Sequence, residues 1–129
     1  MIILDTHIWV WWVNGDPALT SAKYQFIATN EPDGLGISAI SCWEVARLVE
    51  KSRLVLSLPV SQWIDRALAY PGVRLLPLTP QIAVASTQLP QPFHKDPADQ
   101  MIVATARELD FPLATDDREI LLYPHVRLA

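Results

Sequence analysis

The sequence predicts an α/β fold in which a mainly parallel sheet lies between layers of helices. Three observations predict it. Short, wholly apolar runs such as "MIIL" alternate with longer segments of helical character. Uniformly apolar strands fit a sheet buried on both faces, whereas a half-exposed antiparallel sheet shows polar and apolar residues in alternation. Strand and helix succeed one another along the chain, which implies right-handed crossovers between parallel neighbours.

Taken in order, "MIILD" is the first buried strand. "THIWVWWVN" follows as a helix that ends near Gly15 to Pro17. "LTSAKYQFIATN" is a helix with Thr20 or Ser21 as its N-cap, because a side-chain hydroxyl can satisfy an N–H left open in the first turn. "LGIS" is a short strand and leads into the helix "AISCWEVARLVEK". "PVSQWIDRALAY" is another helix, stopped by Pro71-Gly72. "VRLLPL" reads as a strand, "PQIAVASTQL" as a helix and "QPFHK" as a loop. The helix "PADQMIVATARELD", the strand "FPLAT", the short helix "DREILL" and a last strand "HVRLA" complete the chain.

At 129 residues and 50% hydrophobic, the chain forms one domain, residues 1–129, with a core of its own. A charged fraction of 19% excludes a disordered chain. Cys42 is the single cysteine, so no internal disulfide forms, which suits a reducing cytoplasm. No stretch approaches the ~20 apolar residues of a membrane span. The opening segment makes a poor signal peptide, since it has no basic start and Asp5 interrupts its apolar run. The net charge of −4 argues against a general nucleic-acid coat, which depends on many cationic contacts to phosphate. It leaves room for a nucleic-acid enzyme with a concentrated acidic centre.

Ligands of an open α/β sheet bind beyond the carboxyl ends of its strands. Asp5 ends the first strand, and Glu44 lies in the first turns of the helix after the second. Asp99 is in the first turn of a later helix, and Asp117 follows "FPLAT". Topology therefore brings four acids, distant in sequence, toward one edge. Each also has a plain structural reading. Asp5 can cap the helix that starts at Thr6, and Glu44 can pair with Arg47 on the surface. In "DPAD", Asp96 reads as the N-cap with Pro97 at the first helical position. Asp99 gains from the helix dipole while still facing a metal. In "TDDRE", Asp116 and Glu119 have capping-box spacing, which leaves Asp117 as the better ligand.

Crowded carboxylates repel: two unit charges 4 Å apart cost about 4 kcal/mol at an effective dielectric near 20. Such a cluster holds protons or binds a divalent cation. All-oxygen donors favour Mg2+, or Mn2+, over zinc, and magnesium's liking for phosphate oxygens points to phosphodiester hydrolysis.

With these residues in place, the chain resembles PIN-domain ribonucleases, particularly the VapC-like toxins of bacterial type II toxin–antitoxin pairs. The stretches that carry the likeness are "LDTHIWVWW", "ISAISCWEVARLVEKSRL", "FHKDPADQMIVATA" and "LATDDREI". The resemblance implies a three-layer α/β/α fold with a five-stranded parallel sheet. It also implies a magnesium site formed by Asp5, Glu44 and Asp99, with Asp117 as a weaker fourth acid. Thr6 matches the hydroxyl residue after the first acid, and Thr115 is the hydroxyl neighbour of Asp117. A homodimer, a cognate VapB-like antitoxin, and an RNA substrate such as a transfer or ribosomal RNA are further implications.

Arg47, Lys51, Arg53, Lys95 and Arg118 adjoin the acids and are candidate phosphate contacts, against a plain reading as solvated charges. Core packing is the default reading for each of Trp9, Trp11 and Trp12, but together they span more than one helix face, so part of the cluster is expected at a protein interface. His94 reads as a hydrogen-bonded loop histidine, His7 and His125 as structural, and Cys42 as a small buried apolar residue. Two rivals compete with the ribonuclease. An aspartyl-phosphate phosphatase needs an acid two residues after Asp5, where His7 stands. A catalytically silent PIN-like module would bind RNA or protein without cutting, and intact acids at all four positions speak against it.

Overall fold

Ile2, Ile3 and Leu4 are all buried, yet they belong to two different cores. In the computed structural model, which describes residues 1–129, Ile2 and Leu4 enter one apolar cluster while Ile3 enters the other. Successive side chains of a strand point to opposite faces, so a strand with no polar position needs cover on both. This strand is β1 (Ile2–Leu4), and it lies inside a four-stranded parallel sheet.

The remaining strands are β2 (Leu35–Ser38), β3 (Val73–Leu76) and β4 (Leu113–Ala114), in the order β3-β2-β1-β4. In register, Ile3 faces Gly36 on one side and Leu113 on the other. Helices α1 (Thr6–Asn14), α2 (Ser21–Asn30), α3 (Ala39–Glu50) and α4 (Val60–Leu68) contribute to the first core, through Ile8, Trp9, Ile27, Val45 and Trp63. Helices α5 (Pro80–Ser86), α6 (Pro97–Leu109) and α7 (Arg118–Leu121) supply Ile82, Ile102, Val103 and Ile120 to the second. The three-layer arrangement expected from the sequence is present.

The expected fifth strand is not. "HVRLA" makes a single parallel bridge, Leu128 to Leu113, in place of a ladder. β4 is only two residues long, and the one residue free to pair is Leu113. It donates to Arg127 O and accepts from Ala129 N, and its hydrogen bonding is then complete.

Helix ends follow the local chemistry. Thr20, rather than Ser21, caps α2 by accepting from Lys23 N, and Gly15 ends α1 in the left-handed conformation (φ 62°). The tryptophan cluster follows its core-packing reading. Trp9 and Trp12 are buried, and Trp11 is half-buried against the same core. Trp9 meets Trp63 edge-on at 5.1 Å, and Trp12 meets Tyr70 in the same way at 5.6 Å. Two later aromatics from α4 and the turn after it thus absorb a group that no single helix face could bury. The exposed tryptophan is Trp43, on α3. No helix is long and apolar enough to cross a membrane.

Candidate active site

All four strands run the same way, so the residues after β1, β2 and β4 meet at one edge. Asp5 follows β1 and caps α1: Oδ1 accepts the Ile8 N–H at 3.0 Å, and Oδ2 accepts the Thr115 hydroxyl. The side chain is almost fully buried, and burial raises its carboxyl above the usual range against the opposing pull of those two hydrogen bonds. Each oxygen keeps a lone pair for a further partner. Thr115 reaches Asp5 from the neighbouring strand because β4 pairs with β1, and its hydroxyl also accepts the Asp117 N–H at 2.9 Å.

Asp99 is in the first turn of α6. Asp96 caps this helix by accepting Asp99 N at 3.0 Å, with Pro97 as its first residue, as the sequence predicts. The Asp99 carboxyl is pushed up to about 8, first by burial and then by the negative charges of Asp96, Asp117, Glu44 and Asp5. Those causes describe the site: Asp5, Glu44, Asp96 and Asp117 all lie within electrostatic reach of Asp99. One ligand atom each from His94, Asp99 and Asp117 lie within 4.8 Å of one another, and so do one each from Glu44, Asp96 and Asp99. Asp99 belongs to both groups. Asp5 belongs to neither, and forms a buried floor tied to Thr115.

Several details correct the reading from sequence. Arg47 pairs with Glu50, one turn on, and leaves Glu44 without the surface partner considered for it. The cap of α7 is Asp117, whose Oδ1 accepts Ile120 N at 3.1 Å, so the capping-box reading of Asp116 does not hold. Asp116 turns away to form an ion pair with Lys23 of α2. Asp117 is therefore the acid of this pair that faces Asp99. Thr6 is buried, and its hydroxyl donates to Ser41 at 2.9 Å, joining α1 to α3 one turn before Glu44.

His94 takes a larger part than its sequence context suggests. Its Nε2 lies 3.0 Å from Asp99 Oδ2, a close polar contact whose geometry falls short of a directed hydrogen bond. The loop is held down by Gln100, whose side-chain amide donates to His94 O. No linear signal in the sequence marks this contact; it arises because the loop before the Asp96 cap returns across the start of α6. Of the candidate phosphate contacts, Arg47, Lys51 and Arg53 line one cleft together with Glu44 and Asp96. Lys95 and Arg118 are exposed beside the acids without joining that cleft. The cleft forms because Lys51 ends α3 and Ser52 takes a left-handed conformation (φ 57°), turning the chain back along the helix.

The parallel sheet, its two helical layers and the acids at its carboxyl edge define a protein of the PIN class. Residues 2–125 match the PIN domain family, and the chain belongs to it. A relative of known name is Ribonuclease VapC22 of Mycobacterium tuberculosis, 36% identical over 126 residues that span 98% of this chain and 94% of that protein. Solved structures extend the likeness in fold. VapBC2 from Rickettsia felis, crystallised with a DNA fragment from its promoter, has a TM-score of 0.76 at 19% identity, covering 100% of this chain and 98% of the other. A toxin–antitoxin complex from Klebsiella pneumoniae gives 0.64 at 20% identity, covering 98% and 95%.

Proposed function

We propose that this chain is a Mg2+-dependent endoribonuclease that acts as the toxin of a type II toxin–antitoxin pair. The observation that carries the reading is the convergence of Asp5, Glu44, Asp99 and Asp117, from four segments far apart in sequence, on the carboxyl edge of the sheet. The family and the 36% identity to a named ribonuclease support it. So does the donor chemistry. Carboxylates too close to be ionised together fit a hard divalent cation, Mg2+ or Mn2+. Asp99, common to both groups of ligand atoms, is the natural first ligand, with Asp117 and Glu44 on either side and Asp5 beneath.

A cation held there supplies Lewis acidity to a water and to the phosphate. The protein's own residues set the geometry. Thr115 and the Ile8 N–H fix both oxygens of Asp5. The Asp96 cap fixes the backbone of Asp99, and His94 stands against its outer oxygen as a positioning partner. Arg47, Lys51 and Arg53 give the cleft beside Glu44 a cationic wall along which an RNA backbone would lie. Replacing Lys51 and Arg53 by alanine is expected to weaken RNA binding about equally for all sequences. The slope of log affinity against log salt should fall by roughly one for each cationic side chain removed. Binding titrations at several salt concentrations check this, and an unchanged slope would remove both residues from the interface.

A VapB-like antitoxin and a homodimer complete the proposal. The relatives crystallised as VapBC and toxin–antitoxin complexes support the antitoxin. Edge strand β3, which has no neighbour on its outer side and exposes Leu75, supports a covering partner. The test of function is to sequence the 5′ ends of total cellular RNA after brief expression without antitoxin, beside an Asp5→Asn control. New ends at one or a few sites, absent from the control, are expected. Identical profiles would point instead to a binding module.

A further inference from the structure

A second concavity lies beside the acids and is not needed to hold a metal. It has a volume of about 550 Å³, within the ~300–1,000 Å³ common for small-molecule sites. Its frame is aromatic. Phe93 stands edge-on to His94 at 4.7 Å, Tyr123 packs on Phe93 at 4.5 Å, and His125 stands edge-on to Tyr123 at 5.3 Å. Tyr123 is buried and its hydroxyl donates to Pro90 O, so the centre of the frame is fixed before any ligand arrives. One carboxylate, Glu119, is on the lining, and Leu122, 71% exposed, contributes an apolar surface.

The cavity joins the acidic site in two places. His94 is a wall of the cavity and also touches Asp99, and α7, which contributes Glu119 and begins beside Leu122's neighbours, starts at its cap Asp117. A group bound among these rings is therefore connected to whatever sits at the acids by the width of one side chain. Aromatic rings with one hydrogen-bond acceptor suit a flat heterocycle that stacks and donates an N–H. Recognition of single-stranded RNA works in this way, with unstacked bases laid on aromatic side chains and their edges read by polar groups.

We propose that this cavity is a nucleobase subsite, which takes one unstacked base next to the phosphate held at the acids. Glu119 selects a base with an exocyclic amino group, as a carboxylate accepts from cytosine N4 in other readers of sequence, and disfavours uracil, whose one N–H is flanked by two carbonyl oxygens that repel a carboxylate. The identity of the ligand rests on the ribonuclease reading; the aromatic frame and its junction with the acids do not.

The test has two arms, both on the full chain with Mg2+. In the first, the four nucleoside 5′-monophosphates are titrated and followed by NMR. Shifts at Phe93, Tyr123 and His125 are expected, larger for the bases with an exocyclic amino group than for uracil. Phe93→Leu keeps the apolar volume that packs on Tyr123 but removes the ring face, and it should weaken binding roughly tenfold. Exposed His125→Ala should act in the same direction. In the second arm a random-sequence RNA pool is digested and the new ends are sequenced. The wild type should prefer one class of base at a fixed position beside the cut, and Glu119→Gln should change that preference. Cleavage with unaltered preference in Glu119→Gln and Phe93→Leu, and no shifts in the cavity, would overturn the subsite and leave the ribonuclease standing. Nucleotide shifts without any cleavage would support the subsite and count against the ribonuclease. Absence of both would remove both.

Discussion

Asp99→Asn is expected to abolish cleavage and, in the absence of metal, to give a protein more stable than the wild type. Cleavage should fall at least 10²–10³-fold, on the order of losing one strong electrostatic group at a reacting centre. Affinity for Mn2+ should fall roughly 100-fold, because Asp99 is the one acid common to both groups of ligand atoms. The stability effect runs the other way because burial and four neighbouring acids already make ionised Asp99 unfavourable. Asparagine keeps the shape and removes the charge. The gain depends on pH in a stated sense. Asp99 has a folded-state pKa above its unfolded value, so the cost of its charge is absent below about pH 4 and complete above about pH 8. Melting curves in EDTA should therefore coincide at low pH and separate as pH rises, with the substituted protein melting higher by about 5 °C at pH 8 to 9. A variant that melts lower there would mean that the contact with His94 outweighs the repulsion among the acids.

That opposition between stability and function also explains which parts of the site are legible in the sequence. Asp5, Glu44, Asp99 and Asp117 stand out because no local rule fully accounts for them, and topology alone predicts that they share an edge. Local chemistry is readable where it is strong. The Asp96–Pro97 start of α6 and the alternation of strands and helices appear in the structure as the sequence predicts them. It misleads where two residues compete for one role. Asp116 has capping-box spacing in sequence, yet Asp117 takes the cap and Asp116 turns outward to Lys23, 93 residues away in the chain. Thr6 is adjacent to Asp5 in the chain, but its hydroxyl partner is Ser41, 35 residues on, which sequence spacing does not reveal. His94 has no metal-ligand spacing and so gives no linear reason to be chosen. Its reason is spatial, since the loop returns across the helix start. The fifth strand fails for a similar cause. "HVRLA" has strand composition, but a strand needs a neighbour long enough to pair with, and β4 is not.

The pH dependence of metal binding follows from the same crowding and should be large. At neutral pH, in the absence of metal, Asp99 holds a proton that a cation must displace. Affinity for Mn2+ is therefore expected to rise about tenfold per pH unit between pH 6 and 8, and to level off above that. Calorimetry in buffers of different ionisation enthalpy counts the proton directly: close to one released at pH 6, and close to none at pH 9. Saturating cation should also remove the fall in thermal stability between pH 4 and 8 that the metal-free protein shows, since the bound charge cancels the repulsion that caused it. The two measurements check each other. Proton release without a flattened stability profile would place the displaced proton on a group outside the acid cluster. A flat affinity profile would mean that Asp99 is already ionised, and the neighbouring acids would then have to be farther from it in solution than the 4.8 Å grouping allows.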